Sequence, residues 1–278
     1  MLILSLSCVV RGFRWRVLLS AEKTLPLRTV FYGTMTGYLG NAYLPARAGE
    51  VVRSVLIGEK GGISKSFALA TALTERIVDA VLLVAVSAVA LTTLGTLAPE
   101  LMQALRVMAF IGALGALAVF AAPHMRGTLQ KIITRLPLSE RMHEKIGGMT
   151  GNFLTGAGAL QDWGRLINFL IASAGIWSLD TLCGLAVARA FGADLSLAQV
   201  FLLLAALGIS SALPSTPGAL GIYQYVAVTV LVPFGFSEAQ ALAYILGYQG
   251  VMYVVITTWG LLGLWKLRGA IRFAGIGG

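Results

Sequence analysis

From Ser66 to Leu97 the chain carries only three charged residues, Glu75, Arg76 and Asp79, in an otherwise apolar run. Val107–Ala122, Leu166–Phe191 and Ala239–Trp265 are comparable stretches. A helix needs about 20 apolar residues to cross a bilayer, so these runs are read as membrane helices. Composition agrees: 57% of the 278 residues are hydrophobic and 12% are charged, where a soluble domain carries roughly a quarter. The mean hydropathy is +0.83. An ordinary soluble enzyme, a disordered chain, a collagen and a disulfide scaffold are excluded by these figures. The fold class expected is an all-α polytopic membrane protein.

Met1–Leu19 is also apolar but carries Arg11, Arg14 and Arg16 in its second half. A cleaved signal peptide has its positive charge before the apolar stretch, so this segment is read as a membrane helix with a basic inner end. Thr29–Leu44 and Ala198–Leu213 are short for full spans. The first is followed by Pro45, Arg47, Gly49 and Glu50, the second by Pro214, Ser215, Thr216, Pro217, Gly218 and Gly221. Proline ends a helix, and broken backbone at membrane depth survives only inside protein or beside a wet cavity. Segments 29–59 and 198–233 are therefore expected to be re-entrant helical hairpins, broken at Asn41, Pro45 and Gly49 and at Pro214, Pro217, Gly218 and Gly221.

Lys and Arg concentrate in Arg11–Arg28, Arg47–Lys65, Arg126–Arg165 and Lys266–Arg272, which hold 18 of the 21. Ala98–Leu105, Gly192–Ser196 and Phe234–Glu238 hold none. The positive-inside rule then places the first set and the C-terminus on the cytoplasmic side of the inner membrane. The net charge of +9 reads as topology rather than as a nucleic-acid surface. Segment 123–165 is basic with interspersed Ile132, Ile133, Leu136 and Met142; it reads either as interfacial amphipathic helices or as a solvated linker.

Two halves are related by internal similarity. Leu25–Phe31 matches Leu195–Phe201 as L-x-L-x-x-V-F, Leu44-Pro45 with Gly49 matches Leu213-Pro214 with Gly218, and Gly62–Ala70 matches Gly235–Ala243. The first repeat is expected over 1–122, with its hairpin, a long helix 66–97 and an extra helix 107–122. The linker 123–165 follows. The second repeat, 166–278, has a helix 166–191, its hairpin, a helix 239–265 and a basic tail. The extra helix inverts the second unit, and inverted repeats with discontinuous helices are how many secondary transporters are built.

Charges inside a span need partners or a cavity. Arg47, Glu50 and Arg53 at the first tip can join Glu75, Arg76 and Asp79 in one buried cluster of three against three. This cluster either pins the hairpin or binds a phosphate-bearing head group, for which arginine's planar fork is suited. The second tip is uncharged and offers Ser215 and Thr216, with Tyr248 and Gln249 apposed where the first unit has Glu75 and Arg76. Asn41 reads as a hydrogen-bonding strut, and Asp180 needs a partner. Cys8 and Cys183 read as small buried hydrophobes. His124 and His143 do not make a metal site, no cofactor is called for, and no P-loop, G-x-S-x-G or H-E-x-x-H motif is present.

Arg11-Gly-Phe-Arg14-Trp15, Asn41-Ala-Tyr-Leu-Pro45-Ala-Arg47-Ala-Gly49-Glu50-Val-Val-Arg53, Thr74-Glu75-Arg76-Ile-Val-Asp79 and Leu213-Pro-Ser-Thr-Pro217-Gly218-Ala-Leu-Gly221 together resemble the lysylphosphatidylglycerol synthase transmembrane family. The resemblance implies a flippase-like membrane domain that moves aminoacylated phosphatidylglycerol between leaflets in the bifunctional members. A stand-alone member without the synthase domain is expected, and the chain carries Tyr223-Gln224 where relatives often have an aromatic residue followed by Glu. The favoured function is a non-enzymatic transporter of an anionic or phosphate-bearing lipid, including polyprenyl- or hopanoid-linked lipids. A membrane-embedded lipid-modifying enzyme and a non-transporting partner of a lipid- or glycosyl-transferase complex are the alternatives. The partners expected are membrane lipids, with a homodimer or a separate lipid-modifying enzyme as further options.

Overall fold

The computed structural model describes residues 1–44, 48–94, 121–135, 139–210 and 217–273, with isolated positions between 103 and 117. The described secondary structure is helical, with no strand. The long helices are α1 (Leu2–Leu19), α2 (Leu27–Tyr43), α3 (Gly49–Gly61), α4 (Lys65–Leu94), α5 (Arg126–Arg135), α6 (Glu140–Ala157), α7 (Trp163–Ala190), α8 (Leu197–Ser210), α9 (Ile222–Leu231) and α10 (Glu238–Phe273). Local chemistry sets several ends. Pro26 sits at the N-cap of α2, where its missing N–H costs nothing. Gly62 closes α3 in the left-handed region at φ 62°, the usual conformation one residue past a helix. The Asp162 carboxylate accepts the Arg165 N–H at 2.9 Å and starts α7.

α2 and α3 fold back on each other. A Cβ on Gly33 would meet Ile57, one on Gly37 would meet Arg53, and one on Gly40 would meet Gly49. Residue numbers fall on one helix as they rise on the other, so the pair is antiparallel. At Gly49 a Cβ would run into the Gly37 carbonyl and the Asn41 backbone and side chain; only glycine permits that approach. α10 lies antiparallel on α2 by the same device: a Cβ on Gly263 would fall 2.7 Å from the Tyr32 carbonyl, and one on Gly260 would fall 3.0 Å from that of Met35. These glycines serve packing within the chain. α1 runs antiparallel to α7, with Ser7 opposite Asp180 and Arg14 opposite Ser173. α4 packs on α8.

Two apolar cores result. One joins Leu4 and Cys8 of α1, Met35 of α2, Cys183 of α7, Leu203 of α8, Val230 of α9 and Tyr244 of α10. The other joins Trp15 and Leu18 of α1, Ile57 of α3, Phe67 of α4 and Phe169 of α7. Both cysteines are free and buried.

Among the described residues, Trp163–Ala190 and Glu238–Gly269 are long and apolar enough to cross a membrane, and Leu197–Gly208 and Ile222–Phe234 are shorter apolar helices. α10 continues to Phe273, past Trp265 where the apolar run ends. Lys266, Leu267 and Arg268 favour helix, so the helix outlasts its hydrophobicity. The expected helix 107–122 lies largely outside the described residues. In segment 123–165, α6 packs along α4: Asn152 donates to the Ser64 hydroxyl at 3.0 Å, and a Cβ on Gly156 would meet the Phe67 carbonyl. α6 is thus anchored to the helical body.

Candidate functional site

The first break brings α1, α3 and α4 together around six charges. Arg14 enters from α1. Its Nε and Nη2 donate to Glu75 Oε1 at 3.1 and 2.7 Å, and its Nη1 and Nη2 donate to the two oxygens of Asp79 at 2.6 and 2.7 Å. Arg14 Nη1 also reaches Ser173 Oγ of α7 at 3.1 Å. Arg53 of α3 donates through Nη2 to Glu75 Oε2 at 2.9 Å. The same nitrogen lies 2.6 Å from Glu50 Oε2, off the hydrogen-bonding direction. Arg76 donates through Nε and Nη2 to Glu50 Oε1 at 2.9 and 2.7 Å. Asn41, at the end of α2, donates to the same oxygen at 3.2 Å, so it acts as a strut across the break.

Three guanidiniums therefore face three carboxylates. Glu75 is the hub, held from two sides by Arg14 and Arg53. Aromatic faces close the cluster: Arg53 lies 4.4 Å from the Trp15 ring centroid and Arg14 4.9 Å from that of Phe169. Trp15 is itself fixed by its N–H to Thr71 Oγ at 3.1 Å. Pairing at this density is what a buried charge requires. Two features remain open. Arg53 Nε and Nη1 are buried without a hydrogen-bond partner. Arg76 keeps 34% of its side chain exposed, whereas Arg14 and Arg53 keep 1%.

A second pair lies along α1. Asp180 accepts from Ser7 Oγ at 2.6 Å and is salt-bridged to Arg11. Arg11 sits 5.9 Å from the Tyr38 ring centroid and Arg76 sits 6.0 Å from it. The Tyr38 ring is thus a neighbour of both of the more exposed arginines, one from each ion group.

Neutral amides occupy the second break. Gln224 accepts the Gly221 N–H at 2.7 Å and donates to Gln249 Oε1 at 2.6 Å. Gln249 in turn reaches the Gly218 carbonyl at 3.4 Å. Gly218 and Ala219 have positive φ, 68° and 55°, and a Cβ on Gly218 would collide with the Tyr253 hydroxyl. Tyr253 packs against Tyr43 with ring centroids 6.2 Å apart. Tyr43 ends α2, so the two breaks lie side by side.

Of the residues singled out in the sequence, Glu50, Arg53, Glu75, Arg76 and Asp79 meet in one cluster. Arg47, Pro45, Pro214, Ser215 and Thr216 lie outside the described residues. Gly49 serves close packing, and Gly218, Gly221 and Gln249 share the amide network. Tyr248 is buried in the first apolar core. Sequence reasoning assigned Arg11 and Arg14 to the basic inner end of the first helix; both instead turn inward to acids. The available signal was spacing, since Arg11 and Arg14 share one face at i,i+3 and no acid on their own helix pairs with them.

No curated protein and no solved structure matches the chain. A family model described as the lysylphosphatidylglycerol synthase TM region matches residues 1–260. That match covers the charged cluster, both breaks and the helices that hold them, and the chain belongs to this family of multi-helical membrane proteins, whose described activity concerns membrane lipid.

Proposed function

We propose that this protein is a lipid transporter that carries a lipid with a phosphate-bearing head group between the leaflets of the inner membrane, and that it is not an enzyme. The observation that carries the reading is the junction of the two breaks, with an ion cluster behind the first and an amide network behind the second. In this reading α2–α3 and α8–α9 are re-entrant hairpins of two inverted repeats. The contacts Arg76–Glu50 and Gln249–Gln224 are comparable in placement and support that relation, since each joins the helix after a break to the long helix that follows. So does the packing of α10 on α2 and of α4 on α8. Arg76 and Arg11, beside the Tyr38 ring, are the groups with room to meet a phosphate. Glu50 holds Arg76 and Asp180 holds Arg11, and the more buried Arg14, Arg53, Glu75 and Asp79 form the ion core behind Glu50. Ser215 and Thr216 would meet the head group from the second half, and the C-terminus would be cytoplasmic.

Reconstitution into vesicles with head-group-labelled phospholipid tests this. Leaflet exchange above that of protein-free vesicles is expected. Arg76→Gln is expected to slow exchange more than Arg76→Lys, which keeps a cation beside Glu50; thermal unfolding in detergent checks that both variants are folded. No exchange with anionic phospholipid or polyprenyl phosphate would overturn the proposal.

A further inference from the structure

A cavity of about 500 Å³ lies between α4, α7 and α8. Such a volume falls in the range of about 300–1,000 Å³ typical of small-molecule sites. Leu82 and Leu83 of α4, Leu170 and Trp177 of α7, and Leu197 and Phe201 of α8 form most of its walls. Trp177 and Phe201 lean together with ring centroids 6.1 Å apart. From Leu170 to Leu182 the cavity follows about 18 Å of α7 at 1.5 Å per residue, so it is an elongated slot.

Three observations define its occupant. The slot is open to the side: Leu170, Leu182 and Leu197 at its rim are exposed by 39%, 50% and 65%. In a membrane protein that surface faces hydrocarbon. The hydroxyl of Thr181 in its wall is spent on the Trp177 carbonyl at 2.7 Å, so this part of the wall is apolar in effect. One wall residue touches the charged cluster: Ser173 lines the slot and accepts from Arg14 Nη1. Apart from Ser178 on the exposed side of α7, the remaining polar wall residue is Ser173, and an apolar slot that opens to lipid and has a polar corner there fits a hydrocarbon chain attached to a polar group.

We propose that this slot holds one hydrocarbon chain of the carried lipid, its polar end at Ser173 beside Arg14 and Asp79 and its tail running toward Leu182 and Leu197. The proposal rests on the lipid-carrying reading and adds where the tail travels. The head group would then cross at the cluster while one chain stays in a groove of the protein.

The test uses the whole chain in vesicles containing a small fraction of phospholipid with a diazirine in its acyl chain. After illumination, adducts are mapped by mass spectrometry. Ala174, Trp177 and Phe201 are expected to be labelled several-fold more than Leu261 and Trp265, which are exposed on α10 and report ordinary contact with bulk lipid. Excess unlabelled phospholipid should remove that surplus. Ala174→Phe, which places a ring in the slot, should abolish labelling of Phe201 and leave Trp265 labelled; thermal unfolding checks that the variant is folded. Equal labelling at the slot and on α10, or no change at Phe201 in folded Ala174→Phe, would overturn the proposal. Leaflet exchange is measured on the same vesicles. Surplus labelling without exchange keeps the chain site and removes the transport reading; exchange without surplus labelling does the reverse.

Discussion

Arg14 meets Glu75 with two of its nitrogens on a single carboxylate oxygen, at 3.1 and 2.7 Å, and both side chains are buried. The same guanidinium spans to Asp79, one turn further along α4. Only a planar fork reaches both acids, because lysine carries its charge at one point. Removing one partner from a buried ion group costs roughly 3–5 kcal/mol, since the other charges stay buried. Glu75→Ala leaves Arg14 with Asp79 alone and Arg53 with Glu50 alone, so it should lower stability by about that much. Arg14→Lys should recover only part of an Arg14→Ala loss. Thermal unfolding of the purified protein in detergent reads both; full rescue by lysine would show that the fork is dispensable.

Asp180 and Arg11 form a separate pair, and each is the other's only charged salt-bridge partner among the described residues. Residues in direct contact are non-additive, with coupling energies of about 0.5–3 kcal/mol. Arg11→Ala and Asp180→Ala should each destabilise, and the double variant should be less destabilised than the two effects added. Strict additivity in a double-mutant cycle, read by melting in detergent, would mean that Ser7 alone satisfies Asp180.

Much of the site was legible in the sequence because charge is conspicuous in an apolar chain. Glu75, Arg76 and Asp79 stand out against residues 66–97, and the proline and glycine breaks announced that Glu50 and Arg53 lie at a tip. What stayed hidden was the third arginine. Arg14 lies in a stretch whose end carries other cations, and a composition count treats all of them as topology. Which way a residue faces on α1 depends on α4 and α7, far away in sequence, and no local pattern encodes those neighbours. The same holds for Tyr38, an ordinary aromatic until two guanidiniums are seen beside its ring. That α2 and α3 form a hairpin was expected, but which residues touch, Gly33 with Ile57 and Gly37 with Arg53, was not legible, because glycine is common throughout the chain.

Gly49 and Gly148 make a matched test of that packing. Gly49 has no room for a Cβ against the Gly37 carbonyl and Asn41, whereas Gly148 in α6 has nothing within 4 Å. Overpacking costs typically 1–3 kcal/mol, so Gly49→Ala should destabilise by at least about that amount. At an open helical position alanine is favoured over glycine by about 0.5–1 kcal/mol, so Gly148→Ala should stabilise slightly. Opposite shifts in melting temperature are expected. A neutral Gly49→Ala would mean that α2 and α3 separate easily.

At the second break, Gly218→Ala faces two separate penalties. Its φ of 68° disfavours any side chain, and the new Cβ would strike Tyr253. Tyr253→Ala removes the collision but not the backbone strain, which costs roughly 1–2 kcal/mol in the left-handed region. The double variant should therefore regain part, but not all, of the stability lost in Gly218→Ala. Complete rescue would assign the whole effect to the ring, and no rescue would assign it to the backbone.

The two halves differ in charge where the helix after each break meets the long helix that follows, Arg76 with Glu50 in the first and Gln249 with Gln224 in the second. Gln249 is buried, so Gln249→Arg alone brings an unpaired charge into the interior, at a cost of at least about 2.5–3.5 kcal/mol at membrane depth. Gln224→Glu alone keeps an acceptor for the Gly221 N–H but adds an uncompensated carboxylate. Together the two changes copy the ion pair of the first half. The double variant should melt well above either single variant, though below the parent, because a buried ion pair is at best even with a neutral hydrogen-bonded one. If the double variant melts no higher than Gln249→Arg, the second break cannot take up an ion pair like that of the first.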